Sequence, residues 1–190
     1  LVERCDASNV LEVGCGTGKF LSRLLECGVA HATGINPLAT WPARHGLAVI
    51  ADAFDERYLG LDADALVCRH TLEHVPDVQR FLKLVHDWAS ADRARIVLFE
   101  LPDTDRILVE RAFWDIYYEH CNYFTMATLR TAFERAGFDV LRLDCLYDGQ
   151  YLIVEAKPSG QRTLQPGVGQ VRKAVAACDN FGVEVRSSIE

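Results

Sequence analysis

The stretch from Phe113 to Thr125 concentrates side chains that can carry out chemistry, with Glu119 and His120 set among tyrosines. Imidazole has an ordinary pKa of about 6.5, so a histidine can exchange a proton near neutral pH. The stretch separates a strand-like segment from a helix-like one, which is where doubly wound sheets place ligands. Two interpretations are open: a ligand or catalytic site, or a partly buried aromatic lid with Glu119 and His120 in solvent.

A second cluster lies at residues 69–77, which read Arg-His-Thr-Leu-Glu-His-Val-Pro-Asp. The spacing matches the His-x-x-Glu-His motif of one class of zinc hydrolases. That motif needs a helix to bring both histidines to one metal ion, whereas this segment follows a strand-like run and reaches Pro76 almost at once. A zinc site is therefore disfavoured, and no metal is predicted. His74 either faces a substrate or hydrogen-bonds to backbone within the core.

Three glycines stand at alternate positions after a short apolar run, in the loop Glu12-Val-Gly14-Cys15-Gly16-Thr-Gly18. Such a loop, opening a helix, places backbone N–H groups and the helix N-terminus beside a ligand, and glycines let that ligand approach closely. An ordinary strand-to-helix turn needs one glycine and not three. The loop therefore predicts a cofactor site.

Two other families of glycine loop fit less well. The dinucleotide fingerprint Gly-x-Gly-x-x-Gly would put a small residue at position 19, where this chain has lysine. A phosphate-binding loop would need glycine at 13 and serine or threonine at 20, where the chain has valine and phenylalanine.

Composition bounds the class of protein. The chain has 190 residues, 49% of them hydrophobic and 25% charged, which predicts one globular domain with a short appendage. The net charge of −7 and the scattered basic residues argue against nucleic-acid or membrane binding and favour a small-molecule substrate. Seven cysteines without zinc-like spacing, and no signal peptide or long apolar run, predict a soluble, cytoplasmic chain without structural metal.

Strand-like and helix-like segments alternate from residue 9 to about 145, which predicts a parallel sheet with helices on both faces. The turn signal Asp148-Gly149 joins the last two strands, which must then be antiparallel. The fold expected is a doubly wound, Rossmann-like α/β sheet of seven strands whose last strand is reversed. The predicted strands are 9–13, 32–35, 47–51, 63–68, 95–100, 139–146 and 151–156, and the predicted helices are 19–27, 38–45, 76–89 and 127–136.

The C-terminal part divides differently. Residues 158–169 are rich in Pro, Gly, Ser and Gln and predict a linker. Residues 170–190 show helical spacing to the last position, which predicts the start of a truncated helix. The catalytic domain would thus span residues 1–157. Because the chain begins at Leu1 rather than methionine, we expect it to come from a longer polypeptide.

The glycine loop resembles the first motif of class I methyltransferases, and the resemblance extends across residues 9–157. It implies S-adenosyl-L-methionine as cofactor. Asn36 stands where that family has an acidic residue that holds the ribose, and an amide can still donate and accept a hydrogen bond. The other cofactor-binding positions implied are Glu12, Gly14, Cys15, Gly16 and Gly18 in the loop, Asp52 and Ala53 at the adenine, and Arg69 and His70 at the methionine end.

The segment Ile116-Tyr-Tyr-Glu-His-Cys-Asn-Tyr-Phe124 resembles a motif of sugar-nucleotide C-methyltransferases, which methylate carbon next to a ketone of a nucleotide-linked deoxysugar. The resemblance implies that His120 is the general base, that Tyr117 and Glu119 assist it, and that His74 belongs to the active site. The alternatives are O- or N-methylation of another small metabolite, a non-catalytic cofactor-binding module and, last, a nicotinamide oxidoreductase.

Overall fold

Seven strands form one twisted sheet in the computed structural model, which describes residues 6–42, 45–159 and 168–189. The strands are β1 (Asn9–Val13), β2 (His31–Ile35), β3 (Leu47–Ile50), β4 (Ala65–Arg69), β5 (Ile96–Pro102), β6 (Phe138–Leu146) and β7 (Tyr151–Pro158). Their spatial order is β3-β2-β1-β4-β5-β7-β6. All pairs among β1 to β5 are parallel, and β7 is antiparallel to both of its neighbours, so the predicted reversed last strand is confirmed.

Helices cover both faces of this sheet. The helices of the described residues are α1 (Lys19–Glu26), α2 (Val78–Ser90), α3 (Thr104–Glu110), α4 (Met126–Ala136) and α5 (Val168–Ile189), of which α1, α2 and α4 supply the buried side chains that pack on the sheet. Successive strand residues point to opposite faces, and Leu11 accordingly packs in the cluster with α2 and α4, whereas Val10 packs with α1. The fully buried Trp88 anchors α2, and its indole N–H donates to the carbonyl oxygen of Leu61 at 2.9 Å.

The segment after β2 is not the helix predicted for residues 38–45. Its described residues, 38–42 and 45, form turns and irregular backbone. The amide of Leu38 donates to the Asn36 side chain at 3.0 Å, and such a side-chain turn competes with helix formation. Pro42 further disfavours helical geometry at the residue before it. The prediction was therefore wrong for these residues.

Elsewhere the predicted and observed bounds of the elements differ less. The predicted linker 158–169 lies mostly outside the described residues, and the helix predicted from residue 170 is present as α5 from Val168. The short helix α3 was not predicted; its N-cap Asp103 accepts a hydrogen bond from the amide of Asp105 at 3.0 Å. Among the described residues, no helix is long and apolar enough to cross a membrane.

Candidate active site

The predicted cofactor-binding residues follow the carboxyl ends of four parallel strands. The glycine loop follows β1, Asn36 follows β2, Asp52 lies two residues beyond β3, and Arg69 ends β4. In a doubly wound sheet this edge is where ligands bind, at the point where the strand order changes direction. The order here places β1 beside β4, so the glycine loop and the segment after Arg69 are neighbours.

The glycine loop needs its glycines for different reasons. Gly14, Gly16 and Gly18 all have positive φ angles, of 77°, 50° and 70°. A Cβ atom at Gly14 would stand 2.0 Å from Oγ1 of Thr71, and one at Gly18 would stand 2.6 Å from the ring of Trp41. A Cβ atom at Gly16 would meet nothing within 4 Å. Gly14 and Gly18 are therefore set by packing, whereas the face of Gly16 is open to a ligand.

Glu12 lies beneath this loop and is only 3% exposed. Burial raises the pKa of Glu12 to about 7, although the nearby Arg69 guanidinium opposes the shift. Oε2 of Glu12 has no hydrogen-bond partner among the described residues. Because an orphaned buried carboxylate oxygen is costly, this atom is a candidate acceptor for a bound ligand's donor.

Cys15 fills space rather than supplying a nucleophile. A Cβ atom at Gly34 would stand 2.6 Å from Sγ of Cys15, so the thiol packs against bare backbone of β2. Burial raises the pKa of Cys15 to about 12, and the nearby Glu12 raises it in the same direction. The thiol therefore remains protonated at neutral pH.

Asn36 and Asp52 are both partly committed to local hydrogen bonds. The side-chain oxygen of Asn36 accepts from the amide of Leu38, so Nδ2 is the group it offers to a ligand. Asp52 accepts from the hydroxyl of Tyr58 at 2.7 Å, which lowers the pKa of Asp52. Its other oxygen accepts from the amide of Ala53 at 2.8 Å. Asp52 thus remains an ionised acceptor.

Glu100, near the end of β5, binds Arg69 at the end of β4 and His70 directly after it. It accepts from Nη2 of Arg69 at 2.8 Å and lies 2.9 Å from Nε2 of His70. Burial works to raise the pKa of Glu100, but the hydrogen bonds from His70 and Arg69 outweigh it and lower the pKa to about 2. His70 has a φ of 47° and donates its amide to the Glu100 carbonyl at 2.8 Å. No local motif marks Glu100, so the sequence alone does not predict it as a site residue.

The residues around His74 and His120 converge from distant parts of the chain. The turn at Leu72–His74 is a single 3-10 turn. Its Glu73 carbonyl accepts from the amides of Cys121 and Asn122 at 3.0 and 3.1 Å, which fixes the second segment against the first. The His74 and His120 rings lie 4.8 Å apart between centroids.

Aromatic rings surround His120. The rings of Tyr117 and Tyr123 lie 5.1 and 6.0 Å from its imidazole. Burial lowers the pKa of His120, and His74 lowers it further, so the neutral imidazole is favoured. The Glu119 side chain is exposed, and its carbonyl lies 3.1 Å from Nδ1 of His74. One interpretation of the sequence was an aromatic lid with both Glu119 and His120 in solvent. The Glu119 side chain does lie in solvent, whereas His120 is half-buried.

A cavity of about 170 Å³ opens between these groups. Arg106 in its wall pairs with Asp115 and Glu110, each at 3.0 Å, so its charge is compensated. The ring of Tyr151 stacks edge-on against His70 at 4.8 Å. The cavity walls include His70, Glu73, His74, Arg106, Tyr117 and His120.

One relative among characterised proteins is named as a C-methyltransferase. The chain is 24% identical over 181 residues to the C-methyltransferase NovU of Streptomyces niveus, a match that covers 87% of this chain. The chain spans 41% of the length of that relative.

Solved structures with the same fold include two methyltransferases crystallised with S-adenosylhomocysteine. The 1,6-didemethyltoxoflavin-N1-methyltransferase of Burkholderia thailandensis superposes with a TM-score of 0.60 and 18% identity, covering 80% of this chain and 71% of that one. The magnesium protoporphyrin IX methyltransferase of Synechocystis PCC 6803 has a TM-score of 0.55 and 17% identity, covering 79% and 74%.

Family membership rests on a separate match. Residues 3–143 match the protein family described as a methyltransferase domain, and this range contains the glycine loop and both histidine segments. The strand order and the reversed β7 agree with that assignment. The chain belongs to the methyltransferase domain family, as a class I domain whose cofactor is S-adenosylmethionine.

Proposed function

We propose that this chain forms the catalytic core of an S-adenosylmethionine-dependent C-methyltransferase that acts on a nucleotide-linked keto-deoxysugar. The observation that carries the proposal is the cluster of His74, His120 and Tyr117 around one cavity, next to the glycine loop. Thr71 joins the two regions, because it packs against Gly14 and directly follows His70. The C-methyltransferase named as a relative supports the same reaction class.

The residues near the loop fit the cofactor. Gly16 leaves open space, and Glu12 keeps an unpartnered buried oxygen. Asn36 and Asp52 present polar groups at the ends of β2 and β3, where they would hold the ribose and the adenine. The bound cofactor supplies an electrophilic methyl group on a sulfonium.

The task of the protein is to make a carbon nucleophilic. A carbon next to a ketone must lose a proton before it can attack, and His120 is the base we assign to this step. The hydroxyl of Tyr117 would donate to the enolate oxygen that develops as the proton leaves. The backbone bonds from residues 121 and 122 to Glu73 hold His120 in place, so alignment of base and acceptor is built into the fold.

The cavity favours a polyhydroxylated ring over a phosphate next to the base. Asp103, Glu73 and Asp115 line it, and its Arg106 is already paired with Asp115. Carboxylates accept hydrogen bonds from hydroxyl groups, whereas they repel a diphosphate. We therefore place the sugar in the cavity and the nucleotide outside it.

A cytoplasmic location agrees with the six free cysteines among the described residues.

The proposal is tested with the variant His120→Ala, using His31→Ala at the opposite end of the sheet as a control. We expect His120→Ala to lower methyl transfer to a nucleotide-linked keto-deoxysugar by at least about a hundredfold. Its affinity for S-adenosylmethionine, measured by calorimetry, should stay within about twofold of wild type, because His120 lines the cavity in which we place the acceptor.

Proton exchange supplies a second readout. If His120 removes a carbon-bound proton, wild-type protein will exchange that position with deuterium from solvent, and His120→Ala will not. Methyl transfer without exchange at carbon would instead indicate O- or N-methylation. Equal activity in the variant and the control would remove His120 from the role of base.

A further inference from the structure

Glu73, His74 and His120 form a cluster that the proposed reaction uses only in part. Each offers one potential metal-ligand atom, and these atoms all lie within 4.8 Å of one another. His120 is 46 residues from His74 in sequence. The backbone bonds to the Glu73 carbonyl hold its segment at the cluster. All three side chains line the cavity.

The Glu73 carboxylate is the unusual member. It is 2% exposed, and its Oε2 atom has no hydrogen-bond partner among the described residues. Its Oε1 atom lies 3.9 Å from Nδ1 of His70, too far for a hydrogen bond. A buried carboxylate oxygen without a donor is costly unless it is paired or coordinates a metal ion. A cation in the cavity would supply the missing partner.

The donor set is one that transition metals use. Two imidazoles and one carboxylate are the protein ligands of several zinc enzymes, which keep a further position open. Metal–ligand bonds of about 2.0–2.2 Å require the ligand atoms to approach to roughly 3.3 Å. The three side chains would thus close in by roughly 1.5 Å, a movement that side-chain rotation supplies.

The tautomer of His74 suits this role. A carbonyl oxygen only accepts hydrogen bonds, so Nδ1 of His74 carries the proton that faces the Glu119 carbonyl at 3.1 Å. Its Nε2 atom then keeps a free lone pair. Metal-binding histidines commonly donate their other ring N–H to a carbonyl in this way, which fixes the direction of the ring.

We propose that Glu73, His74 and His120 bind a divalent transition-metal ion such as Zn²⁺, and that the bound ion inhibits methyl transfer. This ligand set differs from the zinc-hydrolase motif considered for residues 70–74, because His70 is engaged by Glu100 and His120 replaces it. The site departs from the expectation that the protein holds no metal. Inhibition follows because one lone pair of His120 cannot serve both a proton and an ion. The inhibition, unlike the binding, rests on the proposed function.

The binding is tested by calorimetry with Zn²⁺ alone on full-length protein stripped with a chelator. We expect one ion per chain in wild type, and at least a tenfold weaker affinity in Glu73→Gln and in His74→Ala. Glu73→Gln keeps the backbone carbonyl that anchors residues 121 and 122, so it leaves the segment in place. His31→Ala is the matched control and should bind as wild type does.

Co²⁺ provides an independent probe of the same site. A tetrahedral Co²⁺ site shows strong visible absorption bands, and we expect them in wild type and not in Glu73→Gln. Circular dichroism of each variant verifies that it is folded. Equal Zn²⁺ affinity in both site variants and wild type, or no binding to wild type, would overturn the site.

Activity then separates the two proposals. Chelator-stripped wild type should methylate the keto-deoxysugar, one equivalent of Zn²⁺ should lower the rate at least tenfold, and chelator should restore it. Stripped protein that binds Zn²⁺ but never methylates the sugar contradicts the proposed function and leaves the metal site standing. Stimulation by Zn²⁺ contradicts the inhibitory role.

Discussion

Glu12 is a buried carboxyl whose titration should be visible in the stability of the whole chain. Its pKa in the folded state is about 7, against an ordinary value of 4.5, and desolvation is the main cause. The folded state therefore binds more protons than the unfolded state between these two values. The free energy of unfolding should fall as pH rises from about 4.5 to about 7, by up to about 3 kcal/mol from this group.

The variant Glu12→Gln removes that contribution. Urea unfolding near pH 5 and near pH 8 should show a smaller loss of stability with rising pH in the variant than in wild type. Glu26→Gln is the control, because Glu26 is exposed on α1 and paired with Arg23. An unchanged difference between the two pH values in Glu12→Gln would show that Glu12 is ionised in the fold throughout.

At the residue scale, sequence patterns predicted those groups that belong to local motifs. Glu12 and the glycines lie within seven consecutive residues, so their spacing alone identifies them. Glu100 and Arg106 were not predicted, since their importance comes from contacts made across the sheet and the cavity. Glu73 was noticed in a motif, but its burial and its unpartnered oxygen depend on the packing of the second segment.

The glycine loop, taken as an element, allows a paired prediction. Gly14→Ala should cost about 1–2 kcal/mol for its positive φ and roughly 1–3 kcal/mol more for the overlap with Thr71. Gly16→Ala carries only the first cost, because its Cβ atom meets nothing. Chemical unfolding should therefore separate the two variants.

The affinity for the cofactor should distinguish Gly16→Ala, the variant that loses less stability. We expect Gly16→Ala to stay folded and yet to bind S-adenosylmethionine at least tenfold more weakly in calorimetry, because the new methyl group occupies the open face of the loop. Equal losses of stability in the two variants, or unchanged affinity in Gly16→Ala, would contradict this division of roles.

The helices and strands were predicted best where the spacing of apolar residues was most regular. The seven strands and the helices α1, α2 and α4 lie within a few residues of their predicted bounds. The failure at residues 38–42 and 45 came from side-chain and proline effects that override weak helical spacing. Helix α3 was missed because seven residues give too few turns for a periodic signal.

At the scale of the whole molecule, α5 contributes little to the folded domain. None of residues 172–187 is buried, and Glu184 forms an ion pair with Arg111 in which both side chains are about half exposed. Such surface pairs contribute about 0–1 kcal/mol. A chain that ends at Ser159 should unfold within about 2 kcal/mol of the full chain and bind S-adenosylmethionine equally well. Its unfolding curve and its cofactor calorimetry provide the measurement, and loss of the cooperative transition would contradict the expectation.

The sequence does not predict the order of the strands in the sheet, except that β6 and β7 are neighbours. A tight turn forces β6 and β7 to be antiparallel neighbours, whereas nothing local requires β7 to insert between β5 and β6. The candidate active site depends on the same long-range arrangement, because residues 73 and 121 meet only in the folded chain. Local motifs in the sequence predict each segment as part of a site, but they do not predict the contact between the two segments.

The contact between Gly14 and Thr71 also constrains how the protein can be redesigned. A Cβ atom at position 14 would stand 2.8 Å from the Cβ of Thr71 itself, so trimming position 71 to alanine would not make room. One of the two positions has to be glycine, so library members that carry a side chain at both positions should be destabilised. Recombination between related domains should therefore inherit both positions from one parent, although they lie 57 residues apart.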